Sequence, residues 1–277
     1  MKIDEHTKVI GRFHTQASPR GLNIYNPFFQ ATGMNAVYLL FYNQDPKILI
    51  DGMRNLHLAG AITAGFESDS RLPTLLDEID ETATYVGKIG FITNNNGRLK
   101  GYNQSGEGLL RSIEKSQSLA GKKMAIVGAG NVVKSLLFTL SKRKVKLPIV
   151  TIYNRTPENA EKLVKDFSFV KRFSSLDQIA HATGDILVNI SHIGGKEADT
   201  LFSEAIVGRF QTVADVTFEK EDTNLISLAK KLGKKYSTGW DMFAYQGQVI
   251  LETLLDVKVD FNVLKKYVAQ GLSKTVK

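Results

Sequence analysis

The stretch Met124-Ala125-Ile126-Val127-Gly128-Ala129-Gly130-Asn131 decides the fold of the second half of the chain. Four apolar residues in a row predict a buried strand, and the two glycines predict a tight turn before a helix. Such a turn holds the pyrophosphate of a dinucleotide: Gly128 allows the turn, and Gly130 lets the backbone approach the phosphates. The N–H groups at the start of the following helix face the negative charge. We therefore predict a dinucleotide site at Gly128, Ala129, Gly130 and Asn131.

The end of the next predicted strand indicates which dinucleotide binds. The strand residues Ile149–Tyr153 are followed by Asn154, Arg155 and Thr156, and this segment contains no carboxylate. An acidic side chain at this point usually accepts hydrogen bonds from the ribose hydroxyls of NAD. A guanidinium instead suits the 2′-phosphate of NADP, because it offers paired N–H donors. The segment Asn154–Thr156 therefore favours NADP as the cofactor.

One position departs from the usual pattern of three glycines. Val133 stands where a small residue normally lets the helix pack closely against the strand. A glycine turn between a strand and a helix can also be purely structural, with Arg155 as an ordinary surface residue. The two interpretations are both open at this point, and the segment after the second strand favours cofactor binding.

The composition limits the class of protein. The chain has 277 residues, of which 43% are hydrophobic and 23% are charged, and it has no cysteine. This length is sufficient for two domains, each with its own core. The longest apolar runs, such as Ala36–Tyr42, are too short to span a bilayer. The five histidines have no metal-ligand spacing, and thiolate sites are excluded. We expect a soluble cytoplasmic protein that binds neither a metal nor a membrane.

The net charge of +8 raises the possibility of nucleic-acid binding. The basic residues, however, form separate groups near the expected C-terminal ends of helices, where cations oppose the helix dipole. These groups are Lys142-Arg143-Lys144, Lys230-Lys231 with Lys234-Lys235, and Lys265-Lys266. No aromatic–basic nucleic-acid motif accompanies them. We expect solvated faces, and a monomer or homodimer that acts on a small-molecule substrate.

Predicted strands and helices alternate along the chain, as in mostly parallel α/β sheets. In the first part, strands are predicted at 8–13, 36–42, 61–65, 89–93 and 98–102, with helices from 19, at 46–58 and at 70–79. A helix at 104–118 leads to strands at 123–127, 149–153, 186–190 and 212–216, which alternate with helices at 131–142, 157–166 and 224–232. A last helical stretch from Trp240 returns to the first domain.

The predicted fold class is therefore α/β with two domains. Residues 1–105, joined by C-terminal helices at 240–277, form an N-terminal α/β domain that binds the substrate. Residues 106–239 form a Rossmann-type dinucleotide-binding domain. Cofactor and substrate are expected to meet in a cleft between the two domains.

Short segments spread over the chain share their order and spacing with a known family. They are His14–Pro19, Leu75–Ile79, Gly97–Asn103, the glycine turn, Asn154–Thr156, Gly239, Met242 and Tyr245–Gly247. In these segments the chain resembles the shikimate dehydrogenase family over nearly its whole length. The resemblance implies a substrate domain, a NADP-binding Rossmann domain, and reversible reduction of 3-dehydroshikimate to shikimate. It also adds Gly239 and Met242 to the cofactor site.

Two residues that the resemblance assigns to proton transfer are replaced. Hydride delivery to a ketone builds charge on its oxygen, so a positioned proton donor is worth about 10²–10⁴ in rate. The family uses a lysine and an aspartate. Here Ser68 or Asp69 occupies the lysine position, allowing for a one-residue gap, and Ser105 occupies the aspartate position. The catalytic donor is therefore unknown. Ser105, Lys88 and Arg71 are candidates, although Lys88 and Arg71 could also be ordinary surface residues.

The resemblance places Gln16, Ser18, Asn103 and Gln246 in the substrate site. Ser18 remains from a pair of serines that would hold the shikimate carboxylate, and Gln16 replaces the other. An Asn-Thr pair of the family becomes Gly90-Phe91, which loses a polar contact and adds a ring.

Each of these residues also has a structural interpretation. Ser18 could cap a helix, Asn103 could form a turn, and Gln246 could face solvent. Met242 could belong to the core. On the cofactor side, Asn159 replaces a second basic residue of the family pattern, which would weaken the preference for NADP.

The sequence thus predicts a NADP-dependent oxidoreductase of aromatic amino acid biosynthesis, acting on shikimate or a related hydroxy acid. The first alternative is a catalytically silent NADP-binding paralogue with a binding or regulatory role. A nucleic-acid-binding protein that uses the positive charge is the third possibility.

Overall fold

The computed structural model describes residues 3–15, 18–156, 158–191, 201–219 and 221–273. The chain divides into two compact units. The first unit comprises Met1–Gln104 and Gln246–Lys277, and the second comprises Ser105–Tyr245. The two units are described in turn.

The helices and strands follow one another in the order β1 (Lys8–His14), α1 (Arg20–Thr32), β2 (Ala36–Tyr42), α2 (Pro46–Asn55), β3 (Gly60–Ile62), α3 (Leu72–Leu75), β4 (Glu78–Ile79), α4 (Glu81–Val86), β5 (Phe91–Asn95), β6 (Arg98–Tyr102), α5 (Ser105–Glu114), β7 (Lys123–Val127), α6 (Asn131–Ser141), β8 (Ile149–Asn154), α7 (Glu158–Asp166), β9 (Val170–Ser175), β10 (Ile186–Asn189), α8 (Glu204–Val207), β11 (Thr212–Asp215), α9 (Asn224–Lys231), β12 (Lys235–Ser237), α10 (Gly239–Leu255) and α11 (Phe261–Ser273). A 3₁₀ helix over Leu176–His181 lies between β9 and β10.

The sheet of the first unit has the strand order β2-β1-β3-β5-β6-β4. All its pairs are parallel except β3 with β5 and β5 with β6. Because β5 runs against β3, the residues that lead into β5 lie at the same edge as the residues that follow β3 and β6. Thr63 and Gly90 are joined there, since the Thr63 N–H donates to the Gly90 carbonyl at 3.2 Å. Lys88, which precedes β5, and Asn103, which follows β6, lie at this edge.

The sheet of the second unit has the strand order β9-β8-β7-β10-β11-β12, and every pair is parallel. Counted from β7, this is the order 3-2-1-4-5-6 of a doubly wound dinucleotide-binding fold. The strand order reverses between β7 and β10, and ligands bind such sheets outside the carboxyl ends of the strands at this point. The glycine turn after β7 lies at this position. The predicted α/β class, with a Rossmann-type second domain, is confirmed.

The structure corrects several predicted elements of the first unit. The helix expected at 70–79 is wrong beyond Leu75, because Glu78 and Ile79 form β4 beside Lys100 and Gly101. Asp77 explains the change, since its carboxylate accepts a hydrogen bond from the Leu99 N–H at 2.7 Å. The strand expected at 61–65 ends at Ile62, and Gly65 has a φ of +91° that ends any extended run.

Candidate cofactor and substrate sites

The two glycines of the turn after β7 have different structural roles. Gly128 has a φ of +114°, and a Cβ there would lie 2.8 Å from the Ile190 carbonyl oxygen. Only glycine fits this position without strain. Gly130 has a φ of −83° and a ψ of −168°, and a Cβ there would meet no atom within 4 Å. The backbone at Gly130 therefore borders open space at the start of α6, as a phosphate-binding turn requires.

Val133 does not prevent close packing of α6. Its side chain is fully buried. Helix α6 instead packs closely against α5 at Gly106, where an added Cβ would overlap the Ser135 carbonyl group. The Ser135 hydroxyl also accepts a hydrogen bond from the Gly106 N–H at 2.7 Å. The small residue that allows α6 to pack closely is therefore Gly106, which belongs to the neighbouring helix α5.

The segment after β8 presents Arg155 to the surface. The Asn154 side-chain amide donates to the Thr156 carbonyl at 2.7 Å and closes a short turn around Arg155. Arg155 is exposed and has no hydrogen-bond or ion-pair partner in the described part of the chain. Its guanidinium can therefore receive a phosphate without breaking an existing bond. The helix start expected at Pro157 lies outside the described residues, and α7 begins at Glu158.

Gly239 and Met242 lie in the first turn of α10. A Cβ on Gly239 would overlap the Thr217 carbonyl oxygen, so this helix start packs directly on the backbone after β11. Met242 is only 3% exposed. Both positions have packing reasons for their residue type, which agrees with the structural interpretation of Met242 and leaves its contact with a cofactor a proposal.

The sequence reasoning missed a polar network at the carboxyl ends of β10 and β11. The buried Asp215 accepts from the Asn189 amide at 3.3 Å, the Thr217 N–H at 3.0 Å and the Thr223 hydroxyl at 2.8 Å. The Ser191 hydroxyl donates to the Asn189 Oδ1 at 2.6 Å. These bonds fix the loops that border the switch point of the sheet. The sequence signal that could have indicated this network is that the apolar strands β10 and β11 end in the polar residues Asn189 and Asp215.

Aromatic residues lie beside this network. The Trp240 indole N–H donates to the Glu219 carbonyl at 2.7 Å, and its ring centroid lies 5.3 Å from that of Phe218. Phe218 is 42% exposed. The same edge of the second unit thus offers a small pocket lined by Thr217, Gly239 and Trp240 as well as Asp215 and Thr223.

In the first unit, Lys88 lies between two segments of the candidate substrate site. The Asn103 side-chain amide donates to the Lys88 carbonyl at 3.1 Å. The N–H of the next residue, Ile89, donates to the Glu67 carbonyl at 3.0 Å. Lys88 therefore adjoins both Asn103 and the loop that contains Ser68. Its half-buried side chain has no carboxylate partner within the described ranges.

The vacated lysine position itself supplies no proton donor. Ser68 is exposed. Asp69 pairs with the Arg71 guanidinium at 2.8 Å, and this hydrogen bond lowers the pKa of Asp69. Arg71 also reaches Asp45 at 3.1 Å. Because Asp69 stays ionised and Arg71 is held by two carboxylates, neither is positioned as a substitute donor.

The replacement at Gly90 is compensated within the fold. A Cβ on Gly90 would overlap the Gln104 side-chain amide, so Gln104 fills the space above this glycine. The Gln104 Oε1 is buried there without a hydrogen-bond partner among the described residues. The rings of Phe91 and Tyr102 stack beside it with centroids 5.0 Å apart.

The other candidate residues have the following positions. Ser18 is half-buried and precedes Pro19, which is the N-cap residue of α1. No side-chain hydrogen bond caps the start of this helix, so the interpretation of Ser18 as a helix cap is wrong. Gln246 is half-buried in α10, and Ser105 is the first residue of α5. Gln16 lies outside the described residues.

Two negative observations concern the described residues. None of the helices there has the length and apolar character needed to cross a bilayer. No group of three or more His, Asp or Glu side chains in that part of the chain could hold a metal ion.

Comparisons with known proteins agree with this geometry. Residues 111–200 match the family described as Shikimate / quinate 5-dehydrogenase. The shikimate dehydrogenase (NADP(+)) of Pyrococcus abyssi is 27% identical over 253 residues, which cover 91% of this chain and 93% of that protein. The enzyme of the same name from Geobacillus kaustophilus is 29% identical over 263 residues, again covering 91% and 93%.

Solved structures give the same result. A crystal structure of shikimate dehydrogenase in complex with NADP+ is 28% identical, with a TM-score of 0.80, and the match covers 100% of this chain and 98% of that one. Shikimate 5-dehydrogenase from Listeria monocytogenes, in complex with shikimate and NAD, is 25% identical with a TM-score of 0.81, covering 96% and 98%. In its two sheets, its glycine turn and these matches, the chain is similar to shikimate dehydrogenases over nearly its whole length.

Proposed function

We propose that this protein is a NADP-dependent oxidoreductase that interconverts 3-dehydroshikimate and shikimate, or a closely related keto and hydroxy acid, in aromatic amino acid biosynthesis. The observation that carries the proposal is the parallel sheet of the second unit, with the Gly128 turn at its switch point and, after β8, an exposed Arg155 that has no partner among the described residues. Curated relatives that match nearly the whole chain are named as NADP(+) enzymes, which supports the proposal.

The cofactor side of the proposal rests on residues of the second unit. The backbone at Gly128–Asn131 receives the pyrophosphate, and Arg155 binds the 2′-phosphate, with Asn154 holding the turn in place. Gly239 and Met242 complete the site at the start of α10. When bound, NADPH supplies the hydride that reduces the ketone carbon.

The reduction also needs one proton at the ketone oxygen, and Lys88 is the proposed donor. It adjoins both the loop of the vacated lysine and Asn103, a candidate substrate residue. An ammonium group in this place would stabilise the developing oxyanion and then donate its proton. Ser105 is the alternative, since it occupies the position of the family aspartate. Ser18, Gln16, Asn103 and Gln246 are proposed to orient the substrate.

Turnover is the direct test. NADPH absorbance should fall when 3-dehydroshikimate or a related cyclic keto acid is added, and the reverse reaction should appear with shikimate and NADP. Replacement of the proton-transfer pair favours the catalytically silent paralogue as the second candidate. Calorimetry decides between them: tight NADPH binding without turnover on any keto acid supports the silent protein.

Lys88→Met tests the proposed donor. We expect kcat to fall by about 10²–10⁴, with unchanged NADP affinity, because only proton transfer is removed. Lys100→Met is the matched control, since Lys100 pairs with Glu78 at 3.3 Å on β6, and it should keep the wild-type rate. An unchanged rate in Lys88→Met would reject this donor without rejecting the oxidoreductase.

Restoration of the family pair is the complementary experiment. Ser68 is the better site for the lysine, because Asp69 is engaged by Arg71. Ser68→Lys combined with Ser105→Asp should raise shikimate oxidation if only the pair is missing. No gain would indicate that the whole substrate site has changed to another hydroxy acid.

Nucleic acid is not among the proposed partners. Several residues of the basic groups are engaged with the protein itself: Lys230 with Asp222 at 2.5 Å, Lys231 with Glu204 at 2.5 Å, and Arg143 with Glu107 at 2.9 Å. We propose a cytoplasmic monomer or homodimer, which sedimentation would test. Steeply salt-dependent DNA or RNA binding would contradict this assignment of partners.

A further inference from the structure

Arg12, in the middle of β1, is a half-buried cation with no compensating anion among the described residues. Its Nε is buried and has no hydrogen-bond partner within the ranges that the structure describes, and no ion pair joins it to an Asp or Glu there. The positions of the first unit that lie outside those ranges contain no acidic residue either. Burying an unpaired charge is unfavourable, so such a charge calls for an anion supplied from outside this unit.

Two tyrosines surround this guanidinium. Arg12 forms a side-chain hydrogen bond with the Tyr38 hydroxyl. Burial raises the pKa of Tyr38 to about 12 and also raises the pKa of Tyr25, and the charge of Arg12 opposes both shifts. Both hydroxyls are therefore neutral at physiological pH. Because arginine can only donate, the Tyr38 oxygen accepts from it and keeps its own proton for a further acceptor.

The cluster of Arg12, Tyr25 and Tyr38 lies against the first turn of α1. A Cβ on Gly21 would be 2.6 Å from the Tyr38 hydroxyl oxygen, so this hydroxyl touches the helix backbone. The first turn of this 13-residue helix contains no acidic residue, and the positive end of its dipole adds to the charge of Arg12. All the charges and donors of the cluster thus favour an anion.

The cluster also adjoins the candidate substrate residues along the chain. Gly21 follows Ser18 by three residues. Gly247, whose Cβ position is 3.0 Å from the Tyr25 hydroxyl, follows Gln246 directly. Ser18 remains from the serine pair that the resemblance assigns to a carboxylate, and Gln16 stands in place of the other serine.

We propose that Arg12, assisted by the hydroxyls of Tyr38 and Tyr25, binds the carboxylate of the hydroxy-acid substrate and replaces the serine lost at Gln16. A guanidinium suits this task because it can donate two parallel hydrogen bonds to one carboxylate. The identity of the anion as a substrate carboxylate rests on the proposed function. The observation that Arg12 has no acidic partner among the described residues does not depend on the proposed function.

A comparison of an acid with its ester tests the proposal. Calorimetry would measure the affinity of shikimate and of its methyl ester for the wild type, for Arg12→Gln and for the control Arg98→Gln, which removes an arginine paired with Glu78 on β6. The wild type and the control should bind the acid at least about tenfold more tightly than the ester. Arg12→Gln should lose about 10- to 100-fold for the acid and nothing for the ester, as expected for a charged hydrogen bond. An unchanged preference for the acid in Arg12→Gln would overturn the proposal.

A second measurement covers the case in which the wild type binds neither compound. Acetate, compared with chloride at equal ionic strength, should raise the melting temperature of the wild type more than that of Arg12→Gln. Equal shifts would overturn the proposal. Arg12→Met should melt no lower than the wild type, because the charge it removes is uncompensated. If the melting temperature of Arg12→Met fell clearly below that of the wild type, and acetate still raised it as in the wild type, Arg12 would have a purely structural role.

The two proposals fail in different ways. Selective acid binding through Arg12 without any NADPH turnover would sustain this inference and contradict the oxidoreductase. Normal NADPH turnover in Arg12→Gln with an unchanged KM would contradict this inference and sustain the oxidoreductase.

Discussion

At the scale of single residues, Gly128 and Gly130 show how one motif combines a folding requirement with a binding requirement. Gly128 is fixed by its positive φ and by the Ile190 carbonyl. Gly130 has a backbone conformation open to any residue and faces empty space. The sequence motif assigns both glycines to the cofactor, whereas the structure separates them.

Matched alanine substitutions should separate the two roles experimentally. Gly128→Ala should lower the free energy of unfolding by about 1–3 kcal/mol, because a side chain is strained at that φ. Gly130→Ala should leave stability within about 0.5 kcal/mol of the wild type, yet weaken NADP binding by placing a methyl group where the phosphates approach. Urea unfolding and calorimetric titration of both variants would check this. Equal stabilities, or full NADP affinity in Gly130→Ala, would contradict the division.

At the scale of elements, the apolar strands were predictable and the short polar ones were not. The bounds of β2 and β6 match the sequence prediction, because their residues form clear β-type runs between turn residues. β9 was missed, since Lys171, Arg172 and Phe173 are exposed on an edge strand and show no buried alternation. The helix expected at 70–79 failed because a long-range bond from Leu99 to Asp77 overrides local helical spacing. Distant partners of this kind are not visible in local sequence.

The contact between α5 and α6 leads to a prediction about packing. Gly106→Ala should lower the free energy of unfolding by about 1–3 kcal/mol, because the added methyl group overlaps the Ser135 backbone and must push the helices apart. Gly52→Ala, inside α2, is the control: a Cβ there meets no atom within 4 Å. This change should raise stability by about 0.5–1 kcal/mol through helix propensity. Chemical denaturation of both variants gives the comparison.

The link between Asp77 and the β5–β6 hairpin should depend on pH. Hydrogen bonds from the Leu99 N–H and from Arg54 hold the pKa of Asp77 below its ordinary value of 3.8. The stabilisation is therefore present above pH 3.8 and disappears as the pH falls through the lower folded-state pKa. Asp77→Asn should melt below the wild type at pH 7, and the gap should narrow as the pH falls below 3.8 and close once the pH is below the folded-state pKa of Asp77. A gap that persists or widens in acid would show that the charge is not responsible.

At the scale of the whole molecule, the two units carry different parts of the proposed reaction. The candidate cofactor residues belong to the second unit, and the anion-binding cluster belongs wholly to the first. Sequence resemblance predicted this division of labour and the cofactor motif. It missed Arg12, because an arginine inside a strand is informative only once its lack of an acidic partner is known.

Ligand binding should stabilise the molecule in a way that identifies the cofactor. NADP at about 100 times its Kd should add about 2.7 kcal/mol of stability, and NAD at the same concentration should add less, because it lacks the phosphate that Arg155 would bind. Arg155→Gln should reduce the effect of NADP to that of NAD. Lys165→Gln, which removes a cation paired with Glu161 at 2.7 Å on α7, should keep the wild-type difference. Scanning calorimetry with each dinucleotide would measure these effects.

The contact between Gly90 and Gln104 has a consequence for how these two positions can be redesigned. Only the far end of the flexible Gln104 side chain occupies the space above Gly90, so a larger residue at 90 requires Gln104 to move, whereas the backbone can stay in place. A shorter residue at 104 would leave a void above the glycine. The two positions are therefore coupled: enlarging residue 90 and shortening residue 104 together should cost less stability than the sum of the two single changes.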